Sequence, residues 1–210
     1  MENKETLSLI IQGFVAIGTI LAALIAIFHE WFKTKLTPPK LSLELCNDSD
    51  LNEWKGGTIN TGRVLFYHLK VINHKKNIPA RNCAVLLKEI SHQLPNGKFQ
   101  RKQFNYPLQL KWAPGNDMPL LITVNKVSPQ TVDFGYLNEN SDKFTLSLVW
   151  TPYNFDGYVL ADKPIRFYFQ VVADNYVSSK LDGIQVSWNG RWSENPTIMN
   201  RNLIIEKIKE

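Results

Sequence analysis

The chain has 210 residues, of which 44% are hydrophobic and 20% are charged. These proportions are ordinary for a folded protein and exclude a disordered chain. The formal net charge of +5 is too small to indicate a nucleic-acid-binding protein, but it is compatible with a location near an anionic membrane surface.

The first element is Leu7–Phe28, a run of 22 residues without a formal charge. As a helix it would be roughly 33 Å long, enough to cross the hydrocarbon core of a bilayer at about 30 Å. A cleaved signal peptide would have a basic leader, a shorter apolar core and a small-x-small cleavage site. Here the leader carries Glu2 and Glu5 against Lys4, and no Ala-x-Ala sequence closes the run. We therefore predict a single transmembrane helix.

The lysines on either side of this run predict its orientation. Lys4 alone precedes it, whereas Lys33, Lys35 and Lys40 follow it. Because cytoplasmic flanks carry the excess of Lys and Arg, the C-terminal part is expected in the cytoplasm and the N-terminus outside. The three following lysines would then face anionic lipid headgroups of the bilayer.

Gly18, Ala22 and Ala26 recur every four residues within the run and share one helix face. Small residues at this spacing let two membrane helices approach closely, so they predict a homo-oligomer through the transmembrane helix. The alternative is that Gly and Ala are common in any membrane span.

The predicted organisation has three parts. Residues 1–32 form the tail and transmembrane helix, residues 33–40 form a basic linker stiffened by Pro38 and Pro39, and residues 41–210 form one domain. Alternating apolar residues predict short strands at 41–46, 64–72, 80–90, 108–112, 120–124, 131–137, 144–150, 165–173, 180–188 and 203–208. Many short strands without helices between them predict an all-β antiparallel sandwich.

Three local expectations accompany these strands. Residues 47–61 are rich in Asn, Asp and Gly and are expected to form a loop. In the strand at 144–150, alternation places Trp150 on the same inward face as Phe144, Leu146 and Leu148. A brief helix is expected within 193–200, with Asn195 as its cap and Pro196 at its first position.

One stretch resembles a pattern found in immunoglobulin-like bacterial sandwiches. It reads Tyr67-His-Leu-Lys-Val-Ile-Asn-His-Lys-Lys-Asn-Ile-Pro-Ala-Arg-Asn-Cys-Ala-Val-Leu-Leu, where a strand ends in Val-x-Asn and Pro-Ala-x-Asn starts the next. The sequences VVADN at 171–175 and VSWNGRW at 186–192 look like the closing strands of a widespread uncharacterised bacterial family. Asn77 departs from that pattern, in which the turn usually has Gly. The resemblance implies an immunoglobulin-like β-sandwich anchored by an N-terminal helix in the bacterial inner membrane, and it implies no reaction.

No residue pattern indicates an enzyme. No two of the four histidines have the i,i+4 spacing of a helical zinc site, and the chain contains no Cys-x-x-Cys sequence. Cys83 lies in an apolar run, so it is expected to be a core residue, and Cys46 and Cys83 are expected to be free thiols. We predict no catalytic residues, no metal and no cofactor.

Two basic clusters remain as candidate contacts for an anionic ligand or for lipid. The first contains His74, Lys75, Lys76 and Arg81, and the second contains Lys98, Arg101 and Lys102 interleaved with Phe99, Phe104 and Tyr106. Basic residues among aromatic ones can hold nucleotides by charge and stacking. The alternative is two solvated turns, and nucleic acid is not expected as a partner because the clusters are short.

These observations lead to two functional hypotheses of different kinds. The first is a membrane-tethered, non-enzymatic interaction module, which presents loops or an edge strand to an unknown protein partner. The second is a ligand-gated membrane effector, as in antiphage defence, in which the domain senses a small anionic signal. A hydrolase with an unrecognised site is a third and weaker alternative.

Overall fold

The computed structural model describes residues 2–36, 38–53, 62–113 and 119–208. The chain divides into two units, Met1–Pro38 and Pro39–Glu210. The first unit contains the helix α1 (Glu2–Leu36). Its segment Ile10–Phe28 is long and apolar enough to cross a membrane, a property that a signal sequence also has, and its side chains are exposed. The predicted apolar helix is therefore confirmed, with a longer extent.

The second unit consists of short strands and one short helix. In chain order, the described residues form β1 (Leu41–Glu53), β2 (Arg63–Asn73), β3 (Ala80–Gln93), β4 (Phe99–Gln109), β5 (Lys111–Trp112), β6 (Ile122–Val124), β7 (Gln130–Asn138), β8 (Lys143–Leu146), β9 (Val159–Leu160), β10 (Ile165–Ala173), β11 (Tyr176–Val177), β12 (Asp182–Trp188), α2 (Pro196–Asn202) and β13 (Leu203–Lys207).

The strands form two sheets in a sandwich-like arrangement. The first sheet has the order β1-β2-β7-β8-β9, with β5 also paired to β7. The second has the order β13-β12-β10-β3-β4, with β11 beside β10 and β6 beside β3. All pairings between these described strands are antiparallel, which confirms the predicted fold class.

The core lies between the sheets and follows from alternation along the strands. On β2, Leu65, Leu69 and Val71 point inward and are fully buried. The ring of Phe134 occupies the centre, with its centroid 5.6 to 6.1 Å from those of three other phenylalanines, which are Phe144, Phe167 and Phe169. Every residue of the described core cluster comes from between Leu41 and Leu203, so this core contains no residue of the first unit.

The sheets are joined along one side where the chain crosses between them. The Leu110 N–H donates to the Val85 carbonyl in the second sheet (3.0 Å). One residue later, the Lys111 N–H donates to the Ser147 carbonyl beside the first sheet (3.0 Å). The Val149 N–H then donates to the Gln109 carbonyl (2.8 Å), so the segment after β8 leaves the first sheet and reaches the second.

Several local predictions were right and others need correction. The cap of α2 is confirmed, because the Asn195 side chain accepts from the Thr197 N–H at 2.9 Å. The predicted strand at 203–208 is confirmed as β13. The loop prediction for 47–53 was wrong, since β1 continues through these residues after a register shift, while 54–61 lie outside the described residues. Trp150 was placed wrongly, because it is exposed.

Candidate functional site

One end of the sandwich gathers most of the first basic cluster, and we call it the entry end because the chain enters the second unit there. The entry end consists of Lys40, the turn at 74–79, the start of β3 at 81–82, the turn at 125–129 and the turn at 174–175. The His74 N–H donates to the Lys40 carbonyl (2.8 Å), and the Asp174 N–H donates to the Arg81 carbonyl (3.0 Å). These bonds join segments that are far apart in the sequence.

The side chain of Asn73 ties the entry end together. This residue is fully buried, which is unusual for an asparagine. Its Nδ2 donates to the carbonyls of Ile78 (2.7 Å) and Val124 (3.1 Å). Its Oδ1 accepts from the Lys75 N–H (3.0 Å). A single amide therefore holds the 74–79 turn closed and fixes it against the strand that leads into the 125–129 turn.

Two other motifs of the predicted resemblance, at 79–82 and 171–175, also meet at this end, whereas the motif at 186–192 does not. The Asn82 Nδ2 donates to Asp174 Oδ2 (2.7 Å), and Asn82 has a positive φ of 52°, which Asn tolerates better than most residues. The Asn175 Nδ2 donates to the Pro79 carbonyl (3.2 Å). The motifs of two distant stretches thus make one hydrogen-bonded framework beneath the basic side chains.

The charges at the entry end are mostly positive. Its exposed cationic residues are Lys40, Lys75, Lys76, Arg81 and Lys126. Among the described residues, none of these five makes a salt bridge within 4.0 Å. The carboxylate of Asp174 is the acidic group on these turns, and it accepts the Asn82 amide. A net positive, solvated surface is the result.

The second basic cluster does not converge with the first, because it lies on β4 and the turn before it. The Arg101 guanidinium lies over the Tyr168 ring (4.4 Å to its centroid), with Nη1 3.7 Å from Glu89 Oε2. The Lys102 Nζ lies 2.7 Å from Asp156 Oδ2. These contacts engage two of the three cations, and they make this cluster a part of the packing on the outer side of β4.

The aromatic residues of the second cluster divide in the same way. The Phe99 ring lies under the Arg166 guanidinium (3.7 Å to the centroid), and the Phe104 ring stacks on Phe155 (6.1 Å between centroids). Tyr106 behaves differently, because it is 82% exposed. It therefore points away from the packed cluster.

Tyr106 belongs to a second exposed surface, which we call the aromatic patch. Its members are large apolar side chains on three segments, namely Tyr106, Leu120, Leu121, Val149, Trp150 and Tyr153. The three segments adjoin, since Val149 bonds to Gln109 through the backbone and the Trp112 Nε1–H donates to the Leu120 carbonyl (3.1 Å). The Gln109 side-chain amide donates to the same carbonyl.

Alternation along the sequence could not reveal the aromatic patch. It assigned Trp150 to the core because Phe144, Leu146 and Leu148 are buried at the preceding alternate positions. The strand ends at Leu146, however, and the chain then crosses to β4, which turns Trp150 outward at 66% exposure. The sequence did contain one signal for this patch, namely the density of Trp and Tyr in 150–158, because so many aromatic residues are unusual in a loop.

The pair formed by His68 and Asp133 does not make a hydrolytic triad with the serine of the neighbouring segment. The Nδ1 of His68 lies 3.1 Å from Asp133 Oδ1 across β2 and β7. The nearest serine on the next segment is Ser147, whose N–H donates to the Phe134 carbonyl (3.0 Å). Asp133 therefore lies between His68 and Ser147, and these two residues are about two strand spacings, roughly 10 Å, apart. That distance is too long for general-base activation.

The cysteine chemistry agrees with a structural role. Cys83 is fully buried, its Sγ donates to the Ala80 carbonyl (3.3 Å), and burial raises the pKa of its thiol to about 11. A reactive thiol needs a lowered pKa and an open site. Both cysteines are free thiols in the structure, and no group of three potential metal ligands occurs among the described residues.

The remaining predicted site residues lie in α1. The positions of Gly18, Ala22 and Ala26 are exposed, like the rest of 10–28, and self-association through them stays a prediction. The side chains of Lys33 and Lys35 lie outside the described part of the structure.

Comparison with known proteins leaves the fold as the main guide. No protein family, characterised protein or solved structure matches the chain. The resemblance to immunoglobulin-like bacterial sandwiches therefore stays a prediction, and function has to be argued from the surfaces described above.

Proposed function

We propose that this protein is a membrane-tethered, non-enzymatic interaction module on the cytoplasmic face of a bacterial inner membrane. In this proposal α1 is the anchor, and the second unit binds a protein partner through the aromatic patch. The aromatic patch carries the proposal, because monomeric soluble surfaces rarely expose several large apolar residues together unless they bind something.

The composition of the aromatic patch favours a protein partner. Trp and Tyr dominate the binding energy of many protein interfaces, since they bury a large area and lose few rotatable bonds. Trp150, Tyr153 and Tyr106 are three such residues on adjoining segments. Two backbone bonds already hold these segments within the domain, from the Val149 N–H to the Gln109 carbonyl (2.8 Å) and from the Phe155 N–H to the Pro152 carbonyl (3.1 Å).

Two of the four outer strands of the described sheets, β4 and β1, are poorly suited to strand addition, which favours the patch as the binding mode. An edge strand can accept a strand from a partner only if it has a regular run of unpaired backbone groups. On β4 the register with β3 is interrupted over 104–107, where Pro107 lacks an N–H. On β1 the Leu43 carbonyl already accepts the Lys207 ammonium (2.8 Å). Both edges are therefore poorly suited to receive an added strand.

Site-specific photo-crosslinking in living cells tests the proposal. A photoreactive amino acid would replace Trp150, Tyr153 or Tyr106, one at a time, in the full-length protein. We expect all three positions to give the same adduct with one other protein. Ile198 and Ile204 are controls, because they are also exposed apolar residues, each about half exposed, but lie on α2 and β13.

Three other results would each count against this function. Adducts that form equally from the control positions would show non-specific contact. Adducts only with a second copy of the chain would indicate self-association and not a separate partner. A complete absence of adducts at all three patch positions, with the protein present in the membrane, would remove the observation on which the proposal rests.

A further inference from the structure

We infer that the entry end docks on the anionic headgroups of the bilayer, so that the domain is held against the membrane in one orientation. This inference rests on the proposed membrane anchor and adds a second, electrostatic contact with a different surface of the protein. The lipid-binding residues are the exposed cations of the entry end, together with the tip of the 125–129 turn.

The first support is the way in which the fold collects these cations. Lys40, Lys75, Lys76, Arg81 and Lys126 come from four segments of the chain, and they converge through the hydrogen bonds of Asn73 and the adjoining backbone. A rigid platform loses little conformational freedom when it binds. Each Lys or Arg near an anionic membrane surface then strengthens binding by roughly fivefold.

The second support is the contrast between the two ends of the sandwich. At the entry end, five exposed cations stand against two nearby carboxylates. Asp174 accepts the Asn82 amide, and Glu44 on β1 accepts the Ser42 hydroxyl (3.2 Å). The opposite end also presents cations, Lys98, Lys163 and Arg191, but its turns carry as many exposed or half-exposed acids, which are Glu139, Asp142 and Asp162. Among the described residues, the entry end therefore has the larger excess of positive charge, which attracts an anionic surface.

The third support is an exposed apolar side chain among the charges. Val127 is 88% exposed at the tip of the 125–129 turn, next to Lys126, and a bridge between Asn125 and Ser128 closes the turn. An apolar residue at such a tip gains stabilisation if it enters the interfacial region while its lysine neighbour remains at the headgroups. The exposed cations and the exposed Val127 side chain thus both favour an anionic lipid surface as the partner.

The short connection between the apolar segment and the second unit keeps the entry end within reach of lipid headgroups. Ten residues separate Phe28, where the apolar segment ends, from Pro39, where the second unit begins. Even fully extended, they would reach no farther than about 35 Å. The effective concentration of the lipid surface at a short tether is high, so even a weak electrostatic contact is populated.

A fluorescence experiment on the full-length protein in nanodiscs tests the inference. A single cysteine at Val127, in a Cys46→Ser background, would carry a polarity-sensitive dye, since buried Cys83 does not react. With roughly one third anionic lipid, we expect a blue-shifted emission that lipid-borne quenchers reduce. In neutral lipid, and at about 1 M salt, where the Debye length is about 3 Å, we expect the emission of a solvated dye.

Two matched charge variants make the test specific. K40Q/K75Q/K76Q removes three cations from the entry end, and we expect the docked-to-undocked ratio to fall roughly a hundredfold. K98Q/K163Q/R191Q removes three exposed cations from the opposite end, so docking should persist. Thermal unfolding of both variants checks that the domain remains folded.

The outcomes separate this inference from the proposed function. Equal emission in anionic and neutral nanodiscs, or an equal loss in both charge variants, would overturn the inference and leave the anchor and the aromatic patch untouched. A full-length chain that does not stay in the bilayer would instead overturn the proposed anchor.

Discussion

At the scale of single residues, Asn73 shows how a polar side chain can organise a surface from within. Its two donors and one acceptor are all used, and one partner, the Val124 carbonyl, lies 51 residues away in the sequence. Buried amides of this kind specify one arrangement, because any rearrangement leaves unpaired groups in a site without water. The arrangement of the turns at the entry end therefore depends on a residue that is buried beneath their exposed surface.

We expect Asn73→Ala to lower the free energy of unfolding by about 2–4 kcal/mol, because two carbonyls and one N–H lose their partner and a cavity remains. Asn73→Asp keeps the acceptor but loses both donated bonds, so it should cost at least as much near neutral pH. Urea unfolding of the detergent-solubilised chain, followed by tryptophan emission, measures the change.

Asn77→Ala is the matched control, because Asn77 is exposed in the same turn. It should change the free energy of unfolding by no more than about 0.5 kcal/mol. Equal losses for the two alanine variants would show that the turn is held by something other than the Asn73 amide.

The thiol of Cys83 predicts a loss of stability at alkaline pH. Its pKa of about 11 in the folded state lies above the ordinary value of 9.0, so above about pH 9 the unfolded chain releases a proton that the folded chain keeps. The folded state then binds more protons, and the free energy of unfolding must fall as pH rises. We expect a loss of about 1 kcal/mol between about pH 9 and pH 10.

Urea titrations of the native chain and of Cys83→Ala at several pH values check this slope. The variant has a lower stability throughout because of the cavity, but its decline over this range should be smaller. Burial also raises the pKa of the Tyr67 hydroxyl, and a tyrosine adds its own loss only above about pH 10, which is why the comparison stops there. Parallel declines would show that Cys83 does not titrate differently in the folded state.

At the scale of elements, the sequence predicted the strands and the helix whose residue patterns are complete within their own segment. β2, β10 and β12 alternate cleanly and lie inside sheets, so their boundaries were nearly right. α2 was predicted from its cap because Asn195 and Pro196 act within one turn. Elements that depend on pairing elsewhere in the chain were not predictable, such as two-residue β9, which pairs with β8, or the part of β1 beyond its register shift. β11 pairs with the adjacent β10, but its two residues are too few to show a pattern.

The surfaces were predictable to a similarly limited degree. The first basic cluster is close in sequence, and the chain order alone indicated it. Lys126 joins the entry end through the pairing of β6 with β3 and the bond from Asn73 to Val124, which no local pattern reveals. The aromatic patch was missed for the same reason, since it depends on where the chain leaves a sheet.

The face formed by Gly18, Ala22 and Ala26 yields a prediction for α1 alone. We expect Ala22→Leu to reduce dimer crosslinking in bilayers by roughly fivefold or more, because a bulky side chain keeps the helices apart. Ala23→Leu makes the same volume change about 100° around the helix and should have little effect. No dimer in the native chain, or the same reduction in both variants, would contradict a role for this face.

At the scale of the whole molecule, two surfaces and one anchor form a consistent arrangement. If the entry end rests on lipid, the aromatic patch on the side of the sandwich stays accessible to a partner moving along the membrane. In the proposed arrangement, charge would fix the orientation and aromatic residues would supply the binding energy, so the two contacts could be altered independently. This arrangement depends on α1 remaining in the membrane with the second unit on the cytoplasmic side.

Membrane integration and orientation therefore provide the last prediction. We expect the full-length chain to resist carbonate extraction and to keep its N-terminus, and a C-terminal reporter should be active only in the cytoplasm. A cleaved signal sequence would give the opposite result for all three measurements, namely an extractable, shortened and exported protein. The comparison is direct because both cases share the same apolar helix.

A pair of leader variants tests the physical cause of this orientation. Glu2→Lys with Glu5→Lys raises the number of leader cations from one to three, equal to the three lysines after the helix, and should move part of the reporter to the periplasm. Glu2→Gln with Glu5→Gln removes the same two acids without adding a cation. Because the orientation rule counts Lys and Arg and gives little weight to acids, this second variant should leave the reporter in the cytoplasm. If both pairs move the reporter equally, net charge rather than lysine position determines the orientation, and the cytoplasmic location inferred from Lys33, Lys35 and Lys40 loses its basis.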